Sequence, residues 1–112
     1  MKCNKHDIDI IEGTTHIMKF VCYSEGKPYK LNEYNVVFVV LGCGEEIKKE
    51  IAIKDNVITA ILDPSDTKGK YRSKLSYECR AFSKTGDVLH VAFGDINVIK
   101  AKAPIIKYKE EL

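Results

Sequence analysis

Short runs of alternating apolar and polar residues, separated by turn residues about every eight to twelve positions, predict an all-β chain. The class is an antiparallel β-sandwich of about seven to nine strands. Two further observations support it. Only Asp63-Pro64-Ser65-Asp66-Thr67-Lys68-Gly69 carries helix signals, with room for one short helical turn near residues 64–68. And 112 residues, 45% hydrophobic and 30% charged, suffice for one core but not for two. The predicted domain spans residues 1–99, and residues 100–112 form a basic-then-acidic tail or linker.

The first strand is predicted at residues 7–11, with Ile8 and Ile10 on one face, ending at Glu12-Gly13-Thr14. The second, residues 15–23, sets His16, Met18, Phe20 and Cys22 on one face and Ile17, Lys19 and Val21 on the other. The lysine marks the second face as wet, so the Met-Phe-Cys face is the core. Ser24-Glu25-Gly26-Lys27-Pro28 is a turn, because glycine tolerates positive φ and proline fixes its own. The third strand, residues 35–41, is apolar throughout, so both of its faces should meet something apolar.

Gly42-Cys43-Gly44 turns the chain into a fourth strand, residues 47–53, whose lysines suit a sheet edge. Lys54-Asp55-Asn56 is a hairpin connection to the fifth strand, residues 57–62. In the helical segment Asp63 can cap, Pro64 suits the first position and Gly69 the exit; its brevity predicts 3₁₀ character. The sixth strand, residues 71–82, alternates most clearly, and Tyr71 at its start is read as a tyrosine that locks the entry through its hydroxyl. After a hairpin at Ser83-Lys84-Thr85-Gly86-Asp87, residues 88–99 form a strand pair or one strand bent at Gly94.

Composition narrows function. The formal charge is only +2, and Arg72 and Arg80 are the sole arginines, so a nucleic-acid partner is not expected. The longest apolar run, residues 36–41, is too short for a membrane helix, and the charged start reads as lacking a signal peptide. Nucleophile elbows, phosphate-cradling glycine loops and His-Glu-x-x-His are absent from the sequence, so no enzyme activity, catalytic residue or cofactor is predicted. Cys3-x-x-His6 with Cys22, Cys43 or Cys79 is the one conceivable metal set. It lacks a second closely spaced ligand pair, and no metal is predicted. Cys43 lies beside Glu45 and Glu46, which disfavour a thiolate, so it reads as a turn residue.

Several segments, taken in order, resemble the N-terminal immunoglobulin-like domain of phage baseplate upper proteins and related small phage tail proteins. Asp7-Ile8-Asp9-Ile10-x-x-Gly13-Thr14 is similar to that family's opening strand and turn. Gly26-Lys27-Pro28-Tyr29-Lys30-Leu31 is similar to its G-x-P-x-x-L turn, and Leu62-x-x-Ser65-x-Thr67-x-Gly69-x-Tyr71 to its short helix and following strand. Gly86-Asp87 and Gly94-Asp95-Ile96-Asn97-Val98 resemble its closing hairpin and last strand. Together they cover roughly residues 7–99.

The resemblance implies an immunoglobulin-like sandwich and a structural or adaptor protein of a phage or prophage virion, assembled in the host cytoplasm. Its partners would be other tail or baseplate proteins and, as a homo-oligomer, further copies of itself. Cys22 and Cys79 occupy positions like those of the two immunoglobulin cysteines, and two buried thiols or a disulfide both remain open.

The candidate interface is Val37, Val39 and Leu41. If Val36, Phe38 and Val40 face the core, these three form an apolar stripe on the outside of a sheet. The competing reading, that neighbouring lysine and arginine stems cover the stripe, is the simpler one. Two other classes stay open: a ligand- or carbohydrate-binding module, and a secreted adhesion domain.

Overall fold

The computed structural model describes residues 4–102. In chain order the elements are β1 (Asn4–Lys5), β2 (Ile8–Ile11), β3 (His16–Val21), β4 (Tyr23–Ser24), β5 (Lys27–Pro28) and β6 (Asn35–Gly42). They continue with β7 (Glu45–Lys49), β8 (Ile51–Lys54), β9 (Val57–Leu62), the turn of helix α1 (Pro64–Thr67), β10 (Leu75–Phe82) and β11 (Val88–Ile99). The larger sheet has the order β1-β11-β10-β6-β7, with β2 also on β11; the smaller has the order β3-β9-β8. A separate two-stranded sheet pairs β4 with β5, and the two larger sheets form the sandwich that the sequence predicts.

The core lies where the sheets face one another. Phe20 of β3 reaches across to Phe38 of β6 and Tyr77 of β10, with ring centroids 6.1 and 6.0 Å away, and Phe38 and Tyr77 stack at 5.6 Å. Such aromatic pairs contribute ~0.5–1.5 kcal/mol each beyond simple burial. Phe38 is paired in register with Cys79, so a phenylalanine fills the position beside the buried cysteine where immunoglobulin domains use tryptophan. Cys22 and Cys79 are buried free thiols.

Four expectations need correction. The predicted fourth strand, residues 47–53, breaks at Glu50. Its first half, β7, pairs with β6 in the larger sheet, and its second half, β8, pairs with β9 in the smaller. A single-sheet strand cannot be told by alternation from one that changes sheets.

The sandwich is also not purely antiparallel: β1 and β2 both run parallel to β11. Between them the chain crosses close over Gly94, where a Cβ would stand 2.0 Å from the His6 carbonyl oxygen. Only glycine fits there. The 12-residue β11 therefore continues through Gly94 as one strand. Its phase changes instead at a bulge, where Cys79 faces Ala92 and Arg80 faces His90, leaving Val91 as the extra, buried residue.

The predicted sixth strand begins at Leu75 rather than at residue 71, because residues 71–73 turn and Ser73 N donates to the Lys70 carbonyl. Tyr71 accordingly locks no strand entry; its ring face receives the cationic groups of Arg72 and Lys100 at 5.4 and 5.1 Å.

Finally, α1 is α-type rather than 3₁₀, since Lys68 N donates to the carbonyl of Pro64 four residues back. The Asp66 carboxylate accepts Asp63 N–H at 2.7 Å, and Lys49 Nζ reaches Asp66 at 2.8 Å and Asp63 at 3.0 Å. Burial pulls the Lys49 ammonium down, but hydrogen bonds to the two carboxylates outweigh that and raise it above its ordinary value. This cluster fastens the α1 turn to β7.

The predicted tail beyond residue 102, and Cys3 of the conceivable metal set, lie outside the described residues.

Candidate functional site

Val37, Val39 and Leu41 stand on the outer face of the larger sheet, opposite buried Val36, Phe38 and Val40. Their orientation is the one the alternation predicts. β6 is central, however, so each has a flank on both sides or one side: Val39 sits between Lys48 and Glu78, Leu41 between Glu46 and Ser76, and Val37 beside Arg80. All three are half-buried. On the same face Glu78 takes Arg80 Nε and lies 3.3 Å from His90 Nε2, while His90 stacks on Phe93 at 5.2 Å. These charges and rings form a lattice around the stripe.

A more open apolar surface lies on the smaller sheet, and the sequence reading missed it. Ile17 (57% exposed) pairs in register with Ile61 (43%), and Val21 (49%) with Val57. Lys19, paired with Thr59 between them, made that face look wet along one strand. The signal existed only across strands, in the register that brings Ile17 to Ile61.

A groove of about 1130 Å³ adjoins this face. One wall is β3 from His16 onward; the other comes from the larger sheet, through Lys5, Ile8 and Val91–Ala92; the β4–β5 hairpin closes one end. That hairpin turns at Glu25 and Gly26, both in the left-handed region with φ of 53° and 78°, as the two-residue connection demands. Among the described residues, β3 has a strand partner on one side only, β9. Cys22 N donates to the Asn56 carbonyl at 2.8 Å, which fixes the ladder's phase. Phe20, Met18 and His16 therefore bond towards β9, whereas Ile17, Lys19 and Val21 aim N–H and C=O into the groove.

His16 is half-buried and lines this groove. Cys43 is exposed at the tip of the β6–β7 hairpin, with φ of 52°. Burial pushes the Cys79 thiol up to about 12, helped by the neighbouring Cys22, and burial raises Cys22 as well. Two tyrosines that look dispersed in sequence meet in space: the Tyr29 and Tyr34 hydroxyls lie 2.6 Å apart, half-buried against the core. Among the described residues no group of three His, Cys, Asp or Glu side chains could hold a metal ion, and no helix is long and apolar enough to cross a membrane.

No protein-family model matches the chain, and no curated protein matches it either.

Proposed function

We propose that this chain is a non-enzymatic structural adaptor of a phage or prophage tail that works by burying sheet surface against other tail proteins or further copies of itself. The observation that carries the adaptor reading is the cross-strand apolar face of Ile17, Ile61, Val21 and Val57 on the outside of the β3-β9-β8 sheet. Exposed apolar pairs of this kind, here on either side of Lys19–Thr59, are candidates for a contact surface. The ordered resemblance over roughly residues 7–99 supports the tail assignment. The half-shielded Val37, Val39 and Leu41 stripe offers a second surface on the opposite side of the sandwich.

Mass spectrometry of phage particles induced from the source strain tests this reading. The chain is expected in purified particles at fixed copy number. The double variant Ile17→Lys, Ile61→Lys should keep its circular dichroism and thermal midpoint yet be lost from the particles. Val39→Lys should reduce incorporation more weakly. Particles that never contain the wild-type chain would overturn the tail assignment, and undiminished incorporation of the double variant would overturn the role of this face.

A further inference from the structure

We propose that the groove beside β3 is an acceptor for an extended peptide strand. Its occupant is a segment of a partner protein with apolar residues at every second position and acidic residues between them. The inference deepens the adaptor reading, on which it rests, by naming the kind of segment the domain captures.

Three observations specify the occupant. The first is hydrogen bonding: Ile17, Lys19 and Val21 present N–H and C=O groups in the two-residue period that only another extended chain can match. Six residues of β3 span ~20 Å, which sets the bound segment at about six residues.

The second is the alternation of the walls. Met18, Phe20 and Ala92 meet the inward side chains of an added strand, while Ile17, Lys19 and Val21 flank its outward ones. Inward positions therefore take apolar residues.

The third is charge. Lys5 and Lys19 line the groove with His6 and His16, against the single Glu25 at the closed end, so acidic residues suit the remaining positions.

A second copy of β3 is not the natural occupant. β3 is itself the wall of a recess bounded by Lys5, Ile8 and the β4–β5 hairpin, and two such recessed edges cannot approach each other to pairing distance. An extended segment of a partner has no such walls. The strand edge is also lightly defended: the opposite edges carry Lys48, Lys49 and Lys54, whereas β3 has one lysine, no proline and no bulge.

The probe is a capped octapeptide of alternating glutamate and valine, titrated to millimolar concentration into the whole ¹⁵N-labelled chain. The expected result is chemical-shift change at the Ile17, Lys19 and Val21 amides, with slowed hydrogen exchange at the same three. Replacing one central valine of the peptide by proline should abolish this. The variant Lys5→Glu, Lys19→Glu should weaken binding by about three- to tenfold, as expected for two partly solvated charge pairs. No perturbation at these amides would overturn the proposal. So would shifts confined to Ile61 and Val57, or binding that survives proline. Concentration-dependent protection of the three amides in the chain alone would assign the groove to a second copy and overturn the proposal as well. None of these failures touches incorporation of the wild-type chain, and because Ile17 borders both surfaces, Ile61→Lys alone reads the outer face apart from the groove.

Discussion

The Tyr77 hydroxyl donates a 2.6 Å hydrogen bond to the carbonyl oxygen of His6, 71 positions earlier. That bond ties the middle of β10 to the crossing between β1 and β2. It is reinforced by His6 N, which donates to the Phe93 carbonyl at 2.8 Å, and by Asp95 N, which donates to the Asp7 carboxylate at 2.8 Å. The N-terminal strand is thus held by a tyrosine in the core as well as by its ladder with β11.

Tyr77→Phe should keep the fold and cost about 1–2 kcal/mol, the range for losing one hydrogen bond and leaving its acceptor underused. Urea titration measures the loss. Faster amide exchange at His6, with β6 and β10 unchanged, would locate it at the N-terminal crossing. An unchanged urea midpoint would mean that the anchor contributes nothing.

Gly94→Ala tests the close crossing itself. The added Cβ would lie 2.0 Å from His6 O and 2.6 Å from its carbonyl carbon, both backbone atoms that no rotamer change can move aside. A loss of about 1–3 kcal/mol is expected, as for overpacked sites. Limited proteolysis should then cut near residues 5–7 first. If the variant resists protease as the wild type does, the crossing is looser than the structure has it.

Alkaline pH should unfold the domain early. Burial raises Cys79 from 9.0, and Tyr77 from 10.0, to about 12, the latter aided by the charge of Asp7. Both groups are neutral when protonated, so in the unfolded chain they ionise first. Between pH 9 and about pH 12 the folded state binds more protons, and stability falls as pH rises. Below pH 9 this contribution is intact. Urea midpoints should therefore decline above pH 9, and Cys79→Ala should flatten the decline. A slope unaltered by that substitution would place the loss elsewhere.

Local chemistry made much of this fold legible. Pro64 and Gly69 bracket α1, Gly86 sits in the β10–β11 hairpin, and the Met18-Phe20-Cys22 alternation names a true core face. What escaped was set by distant partners. Nothing near Glu50 says that β7 and β8 belong to different sheets. The parallel pairing of Ile8 with Ile96 joins segments 88 residues apart. The alternation starts a strand at Tyr71 and points to its hydroxyl as the lock, but that role belongs to Tyr77, because only tertiary placement brings the His6 carbonyl within reach. The groove was invisible for the same reason, since its two walls come from different sheets.

The ribbon from Glu45 to Lys54 ties the two sheets together along one flank, switching layers at Glu50, and its edges carry Lys48, Lys49 and Lys54. The domain consequently has one flank tied across its layers and guarded by lysines, and another where β3 and the N-terminal strands line a groove. If the β3 groove accepts a strand as proposed, such a body has a direction, with lysines disfavouring strand addition at its other edges. Growth by strand addition would then end after a single event, leaving a two-component joint rather than a polymer.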